Sequence, residues 1–457
     1  MDVIASISTA PGIGGIGIVR MSGEDCFKVL DKIFEPKKKE KIEEIKGYTM
    51  KYGHIIENGK IVDEVLVSYF KKPRSYTTEN MCEINTHGGN IVIRKILDLC
   101  LKNGANLAEP GEFTKRAFLN GRIDLLQAES VIDIIDSKSE KELNTGMKQL
   151  QGRLSNKIKE IKQEIMDVMV NVDVSIDYPE YDIEEVENKE ILNMLDSVQA
   201  KLEKLEKSFD TGKVLKNGIK TAIIGKPNAG KSSLLNAILH EDRAIVTEYE
   251  GTTRDTIEEF VNINGIPLKL IDTAGIRENS NDEIEKIGIK KSKEIANTAD
   301  LVIAIFDSSK ELTKEDIEIL NLIKNKKAII ILNKSDLNTV LDVNDKRFTD
   351  VTKNIVKISA LNGEGIEDLY SKILDMFNLN QINLDNDIII TNLRHKNLIM
   401  KAIENTKKAR ETISQGMPID IIAIFIKDIL EDLGAITGEY VTEDIINEIF
   451  SKFCLGK

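Results

Sequence analysis

Residues 221–239 read TAIIGKPNAGKSSLLNAIL, and this stretch decides the fold of the chain's centre. A β-like run enters Gly225, a turn follows through Lys226, Pro227, Asn228 and Ala229 to Gly230, and Lys231 and Ser232 open a helical run to Leu239. The pattern is G-x-x-x-x-G-K-[ST] between a strand and a helix, the context that the motif requires. A glycine-rich turn aims backbone N–H groups at phosphate oxygens, and the helix N-terminus adds partial positive charge. Lys231 is expected to reach the β- and γ-phosphates, and the Ser232 hydroxyl to ligate Mg²⁺. Alone, the stretch could still be a chance glycine turn.

The motifs on its C-terminal side remove that alternative. Asp272-Thr273-Ala274-Gly275 ends a β-like run at 268–272, where a carboxylate would hold Mg²⁺, directly or through water, and a glycine N–H could meet the γ-phosphate. Asn333-Lys334-Ser335-Asp336 ends another run, and the Asp336 carboxylate suits the guanine N1–H and 2-amino donors. Ser359 and Ala360 end the last run and would brace the base. Between the first two motifs, Gly251-Thr252-Thr253-Arg254-Asp255 offers Thr253 to Mg²⁺. Ala229, Ser233, Thr247, Thr252, Thr273, Ala274 and Lys334 complete the expected GTP contacts. Five elements in this order specify a GTPase, with Lys231 counted as catalytic. Ile276 stands where Ras-type enzymes carry a water-orienting glutamine, and an apolar side chain cannot do that work. Neither Arg254 nor Arg277 is aimed at the γ-phosphate by anything in the sequence.

Strand–helix alternation between 214 and 380 predicts a doubly wound α/β sheet, with buried strands at 221–225, 268–272, 301–307, 328–333 and 355–359. Residues 1–118 mix short β-like runs (4–8, 17–21, 48–57, 61–69, 81–86) with helical patterns near 24–34 and 90–103, an α+β texture. The charged run 37–46 reads as a solvated face. From 119 to 213, Leu154, Ile158, Ile161, Ile165, Val168 and Val172 recur at spacings of three and four, and Ile191 to Phe209 repeats the rhythm. Each set puts one apolar stripe on a helix, the pattern of a bundle. Tyr178-Pro179 separates the two. Helical texture returns over 381–457, so the simplest arrangement inserts the α/β domain into a helical domain.

With 63 Lys and Arg against 76 Asp and Glu, the net charge is −13, which argues against non-specific coating of nucleic acid but allows a local basic patch. The apolar runs are all far shorter than the roughly 20 residues that span a bilayer. No signal peptide is legible, and four scattered cysteines without a CxxC pair suit a reducing cytoplasm.

Other pieces are more specific: TAPGIGGIGIVR at 9–20, PGEFTKRAFLN at 110–120, LQAES at 126–130 and the terminal FCLGK at 453–457. With GKPNAGKSS, GTTRD and DTAGIRE, they make the chain resemble the tRNA modification GTPase MnmE (TrmE) family over essentially its whole length. The resemblance implies a multidomain protein: an N-terminal α+β folate-binding and dimerisation domain, an α-helical bundle, and an inserted Ras-like P-loop α/β G domain. It implies a GTPase that forms an aminomethyl-type group on C5 of the wobble uridine of certain tRNAs. The implied partner is the FAD-containing MnmG (GidA), in a heterotetramer or larger complex with the homodimer. A tetrahydrofolate, in its 5-formyl or 5,10-methylene form, would supply the carbon, with contacts mapping onto Arg20, Glu83, Arg122 and Lys457. Arg122 stands where the family often has lysine. The resemblance also implies K⁺ activation of dimerising G domains, with Asn228, Thr247, Tyr249 and Thr252 around the ion. The water-orienting glutamate aligns with Glu285, with Glu283 a weaker contender.

Three features serve as controls. Gly12-Ile13-Gly14-Gly15-Ile16-Gly17 fits a dinucleotide fingerprint, but a β-like run follows where a helix is required. Cys454 sits fourth from the end, but Gly456 and Lys457 match a prenylation box poorly. His87 reads as structural. A rival function, a regulatory GTPase that binds the ribosome or another RNA without one-carbon chemistry, fits the GTPase motifs equally well.

Overall fold

The computed structural model describes residues 2–38, 45–177, 184–240, 259–271, 296–377, 379 and 388–457. The chain forms two compact units: Met1–Ile135 with Lys148–Leu195 and Asn405–Lys457, and Asp136–Met147 with Asp196–Glu404.

The first unit opens with an α+β layer built from β1 (Ile4–Ile7), β2 (Ile16–Ser22), α1 (Cys26–Asp31), β3 (Phe34–Pro36), β4 (Thr49–Glu57), β5 (Lys60–Phe70), β6 (Met81–His87), α2 (Asn90–Lys102) and β7 (Asn106–Leu107). The sheet order is β3-β4-β5-β6-β2-β1-β7, antiparallel except for β1 with β7. Alternation along the strands explains its two faces. Val19, Met21, Val65, Val67 and Ile84 are buried with Leu30 of α1 and Ile96 and Leu99 of α2. Fully burying such a side chain is worth roughly 1.5–3 kcal/mol. Arg20 and Glu83, paired in register, take the other face. Asn58-Gly59, both at positive φ, closes the β4–β5 hairpin. The glycine-rich stretch 12–17 leads into β2, a strand where a dinucleotide fingerprint requires a helix.

Helices follow: α3 (Glu112–Leu119), α4 (Leu125–Ile135), α5 (Glu140–Leu150), α6 (Arg153–Asp177) and α7 (Glu184–Asn217). The stripe from Leu154 to Val172 is buried throughout, as is the one from Ile191 to Phe209. Tyr178-Pro179 lies outside the described residues.

The second unit contains β8 (Ile219–Gly225), α8 (Lys231–His240), β9 (Glu259–Ile263), β10 (Ile266–Leu270), β11 (Leu301–Asp307), α9 (Lys314–Ile323), β12 (Ala328–Asn333), α10 (Lys346–Thr349), β13 (Ile355–Ile358) and α11 (Ile366–Met376). Its sheet runs β13-β12-β11-β8-β10-β9, parallel except for the edge strand β9. Both faces are covered: one core pools Leu234, Leu235 and Ile238 with Leu369 and Ile373, the other Leu320, Ile323 and Phe348. This is the Ras-like α/β domain. The strand expected at 268–272 instead begins at Ile266, because Asn264-Gly265 at φ 49° and 83° forms a tight hairpin turn with β9.

Returning to the first unit, the chain ends in α12 (Leu393–Ser414), which begins in the second unit, α13 (Ile419–Thr437) and α14 (Glu443–Ser451). α13 packs along α6. Phe450 and Phe453 enter a core with Ala117, Ile123 and Leu125. Among the described residues no helix is long and apolar enough to cross a membrane.

Candidate functional site

Two sites emerge, one in each unit. In the α/β domain β8 occupies the point where the strand order reverses, with β11 on one side and β10 on the other, so its C-terminal end opens onto the crevice where such sheets bind ligands. Gly225 ends β8 and Lys231 begins α8. Asn228 and Gly230 sit at φ 61° and 103°, and a Cβ on Gly230 would collide with Asn333. Only glycine therefore fits the last position of the turn, the kind of glycine-bearing backbone whose N–H groups can take an anion.

Lys231 Nζ donates to the carbonyls of Gly225 and Lys226, each at 2.8 Å. Burial lowers its pKa. An ammonium has three donors, so two fix its direction and one remains for a phosphate. Ser232 and Ser233 open α8, with Ala229 buried beneath the turn.

The base side is wired to the phosphate side. Asn333 Nδ2 donates to the Ala229 carbonyl at 2.9 Å, and its Oδ1 accepts from the Ala360 N–H at 3.0 Å. Ser359 Oγ donates to Asp336 Oδ1 at 2.6 Å, which orients the carboxylate expected to read guanine. Lys334, at φ 64°, pairs with Asp307 at 2.7 Å. Burial raises the Asp307 carboxyl, but hydrogen bonds from Lys334 and Ser309 outweigh it and hold the group below the usual carboxylate range. Asp307 was missed in the sequence, although it ends a strand beside the expected base loop. Thr247, Tyr249, Thr252, Thr253, Asp272, Thr273, Ala274, Gly275, Glu283 and Glu285 lie outside the described residues.

The second site lies on the other face of the seven-stranded sheet, where Phe113 packs against Ile4. Arg20 Nε and Nη2 both donate to Glu83 Oε1, at 2.9 and 2.7 Å, and Nη1 donates to the Gly456 carbonyl at 3.0 Å. Ser8 Oγ donates to the same carbonyl at 3.1 Å. Gly456, at φ 83°, lies so close to Ile7 that a side chain would strike it. The Gly111 N–H also donates to the Cys454 carbonyl at 3.3 Å. These bonds hold the C-terminal tail against β1 and β2.

Lys457 arrives beside Arg20 and Glu83; burial lowers its pKa, Arg20 lowers it further, and Glu83 opposes both. Arg122 stacks on the Tyr76 ring at 4.5 Å, with Arg20 over the same ring at 5.6 Å. Arg20 lies over the Tyr76 and Phe113 rings, Arg122 over Tyr76, and Glu83 and Lys457 lie beside Arg20, a set suited to an anion with a planar, donor-bearing ring. Neither aromatic residue was singled out in the sequence. Within PGEFTKRAFLN, Glu112 and Arg116 have structural work: Arg116 is buried and pairs with Glu112 and Glu79. Cys454 is exposed. His87 is exposed, and its Nδ1 sits 2.6 Å from the buried Asp63 carboxylate. Among the described residues no cluster of three or more metal-ligating side chains occurs.

Residues 125–454 match the family described as the MnmE helical domain, and residues 3–122 match the GTP-binding protein TrmE N-terminus. The chain is similar to the tRNA modification GTPase MnmE of Thermoanaerobacter pseudethanolicus, 51% identical over 100% of this chain and 99% of that one. The protein of the same name from Clostridioides difficile is 48% identical, again over 100% and 99%. Among solved structures, the G domain of the T. maritima FeoB iron transporter matches with 26% identity and a TM-score of 0.26, over 35% of this chain and 98% of that one.

Proposed function

The chain belongs to the MnmE (TrmE) family of tRNA modification GTPases, and from that premise we propose that it couples GTP hydrolysis to one-carbon chemistry on the wobble uridine of certain tRNAs. It is a GTP hydrolase acting in tRNA modification. The finer reading is a K⁺-activated enzyme that forms the C5 aminomethyl or carboxymethylaminomethyl group with the FAD-dependent MnmG. The division of labour assigns 1–118 to folate binding and dimerisation, 214–380 to GTP, and 119–213 with 381–457 to the helical frame. A homodimer working in the cytoplasm completes the proposal.

In the G domain, backbone N–H groups of the 225–232 turn and the Lys231 ammonium bind and orient the phosphates, while Asp336, aimed by Ser359, selects guanine. Mg²⁺ would be held by Ser232 and Thr253 and would neutralise phosphate charge. Asn228 is exposed at the loop tip, where its side-chain oxygen suits K⁺, with Thr247, Tyr249 and Thr252 as the further proposed ligands. Glu285 is the proposed water-orienting residue.

In the N-terminal domain, Glu83 would accept from the donor edge of a pterin, and Arg20, Arg122 and Lys457 would take the glutamate carboxylates. Bound tetrahydrofolate supplies the one-carbon unit. The observation that carries this reading is the Arg20–Glu83 pair reached by the C-terminal tail, because a regulatory GTPase has no evident use for so specific a donor set. The experiment is reconstitution with MnmG, FAD, GTP and unmodified tRNA, using tetrahydrofolate labelled at its one-carbon unit. Label on the wobble uridine is expected. GTP turnover with unlabelled tRNA would favour the regulatory alternative.

A further inference from the structure

Lys226 follows the first glycine of the phosphate loop, a position to which the loop motif assigns no role. Its side chain nevertheless has a defined destination. Lys226 Nζ lies 2.6 Å from Asp316 Oδ2 and donates to Thr313 Oγ1 at 2.9 Å. Asp316 is 3% exposed, and the same Oδ2 accepts from the Thr313 hydroxyl at 3.0 Å and from the Thr313 N–H at 2.8 Å, the latter being one half of the capping box that starts α9. A buried carboxylate at a helix N-terminus is thereby matched to a cation that arrives from the phosphate loop.

The backbone of Lys226 makes the second half of the connection. Its carbonyl is one of the two oxygens that aim the Lys231 ammonium. Anchoring the side chain on α9 fixes the position of that carbonyl, and through it the direction of the remaining Lys231 proton. We propose that Lys226 and Asp316 form a latch that positions Lys231 for the phosphates of GTP. The Lys226 and Asp316 side chains are positioning groups, since neither needs to touch the nucleotide. The inference rests on the phosphate-binding role given to Lys231.

The test is a double-mutant cycle on the full-length protein, with GTP affinity and turnover measured for Lys226→Met, Asp316→Asn and the double variant, beside Lys226→Arg and Lys231→Ala. Loss of a charge-assisted bond predicts GTP binding about tenfold weaker in each single variant. The double variant should be no worse than the singles, and kcat should fall along with affinity, because the lysine being positioned is counted as catalytic. Lys226→Arg should retain near-normal affinity. Unchanged GTP affinity in Lys226→Met would overturn the latch, as would strictly additive losses. A fall in melting temperature for Asp316→Asn with normal affinity would reduce Asp316 to a helix cap. Normal GTP binding by Lys231→Ala would remove the premise instead, so the two failures are distinguishable.

Discussion

Asn333 Nδ2 and the Ala229 carbonyl, 2.9 Å apart, tie the base-binding loop to the phosphate loop, and the same amide accepts from Ala360 on its other side. Both partners have fixed polarity, so the amide orientation is determined by them.

Asn333→Ala removes both bonds and leaves a buried carbonyl and a buried N–H without this partner. Each such group costs about 1–3 kcal/mol. GTP affinity should fall at least about tenfold, since both ends of the nucleotide site shift. Fluorescent-nucleotide titration measures it, and an unchanged Kd would show that the two loops hold themselves.

Asp336→Asn tests the base. The carboxylate accepts from two guanine donors, whereas an amide offers one donor and one acceptor. GTP should bind roughly ten- to a hundredfold more weakly. Binding of xanthosine triphosphate, whose 2-oxo group accepts that amide donor, should rise. Competition assays with both nucleotides read the switch directly.

Much of this site was legible because its chemistry is local in sequence. The phosphate loop needs glycine at Gly230 for a steric reason, and Asn333 and Asp336 stand three residues apart at one strand end. What the sequence hid depends on distant contacts: Asp307 meets Lys334, Tyr76 lies beneath Arg20 and Arg122, and the tail crosses to Ser8. None has a spacing signal. The early start of β10 was an avoidable miss, because Asn264-Gly265 is a strong hairpin signal. Arg20 and Glu83 were readable only through family resemblance, since two lone charges 63 positions apart look like surface residues until antiparallel register pairs them.

A pH effect should follow from His87. Its hydrogen bond to Asp63, then the charge of that carboxylate, raise its pKa above the ordinary 6.5. A raised folded-state value means that the contribution is fully present below pH 6.5 and is lost as pH rises through the raised value. Melting temperature should therefore decline across that window more in the wild type than in His87→Gln. NMR titration should place the His87 midpoint above 6.5, and a lower midpoint would contradict the pairing.

Glu285→Ala should slow GTP turnover strongly while leaving GTP affinity largely intact, and wild-type turnover should be faster in K⁺ than in Na⁺ at matched ionic strength. Single-turnover kinetics separates these effects from binding. Near-normal hydrolysis by the variant would remove Glu285 from its proposed role, and equal rates in the two salts would remove the cation.

The most direct measurement is a calorimetric titration of 5-formyltetrahydrofolate into the full-length protein and into a variant lacking Lys457. The account predicts saturable binding by the intact protein and clear weakening on loss of Lys457, whose position beside Arg20 and Glu83 puts it within reach of the ligand's carboxylates. No binding to a protein that still binds GTP would contradict the one-carbon reading and leave a regulatory GTPase.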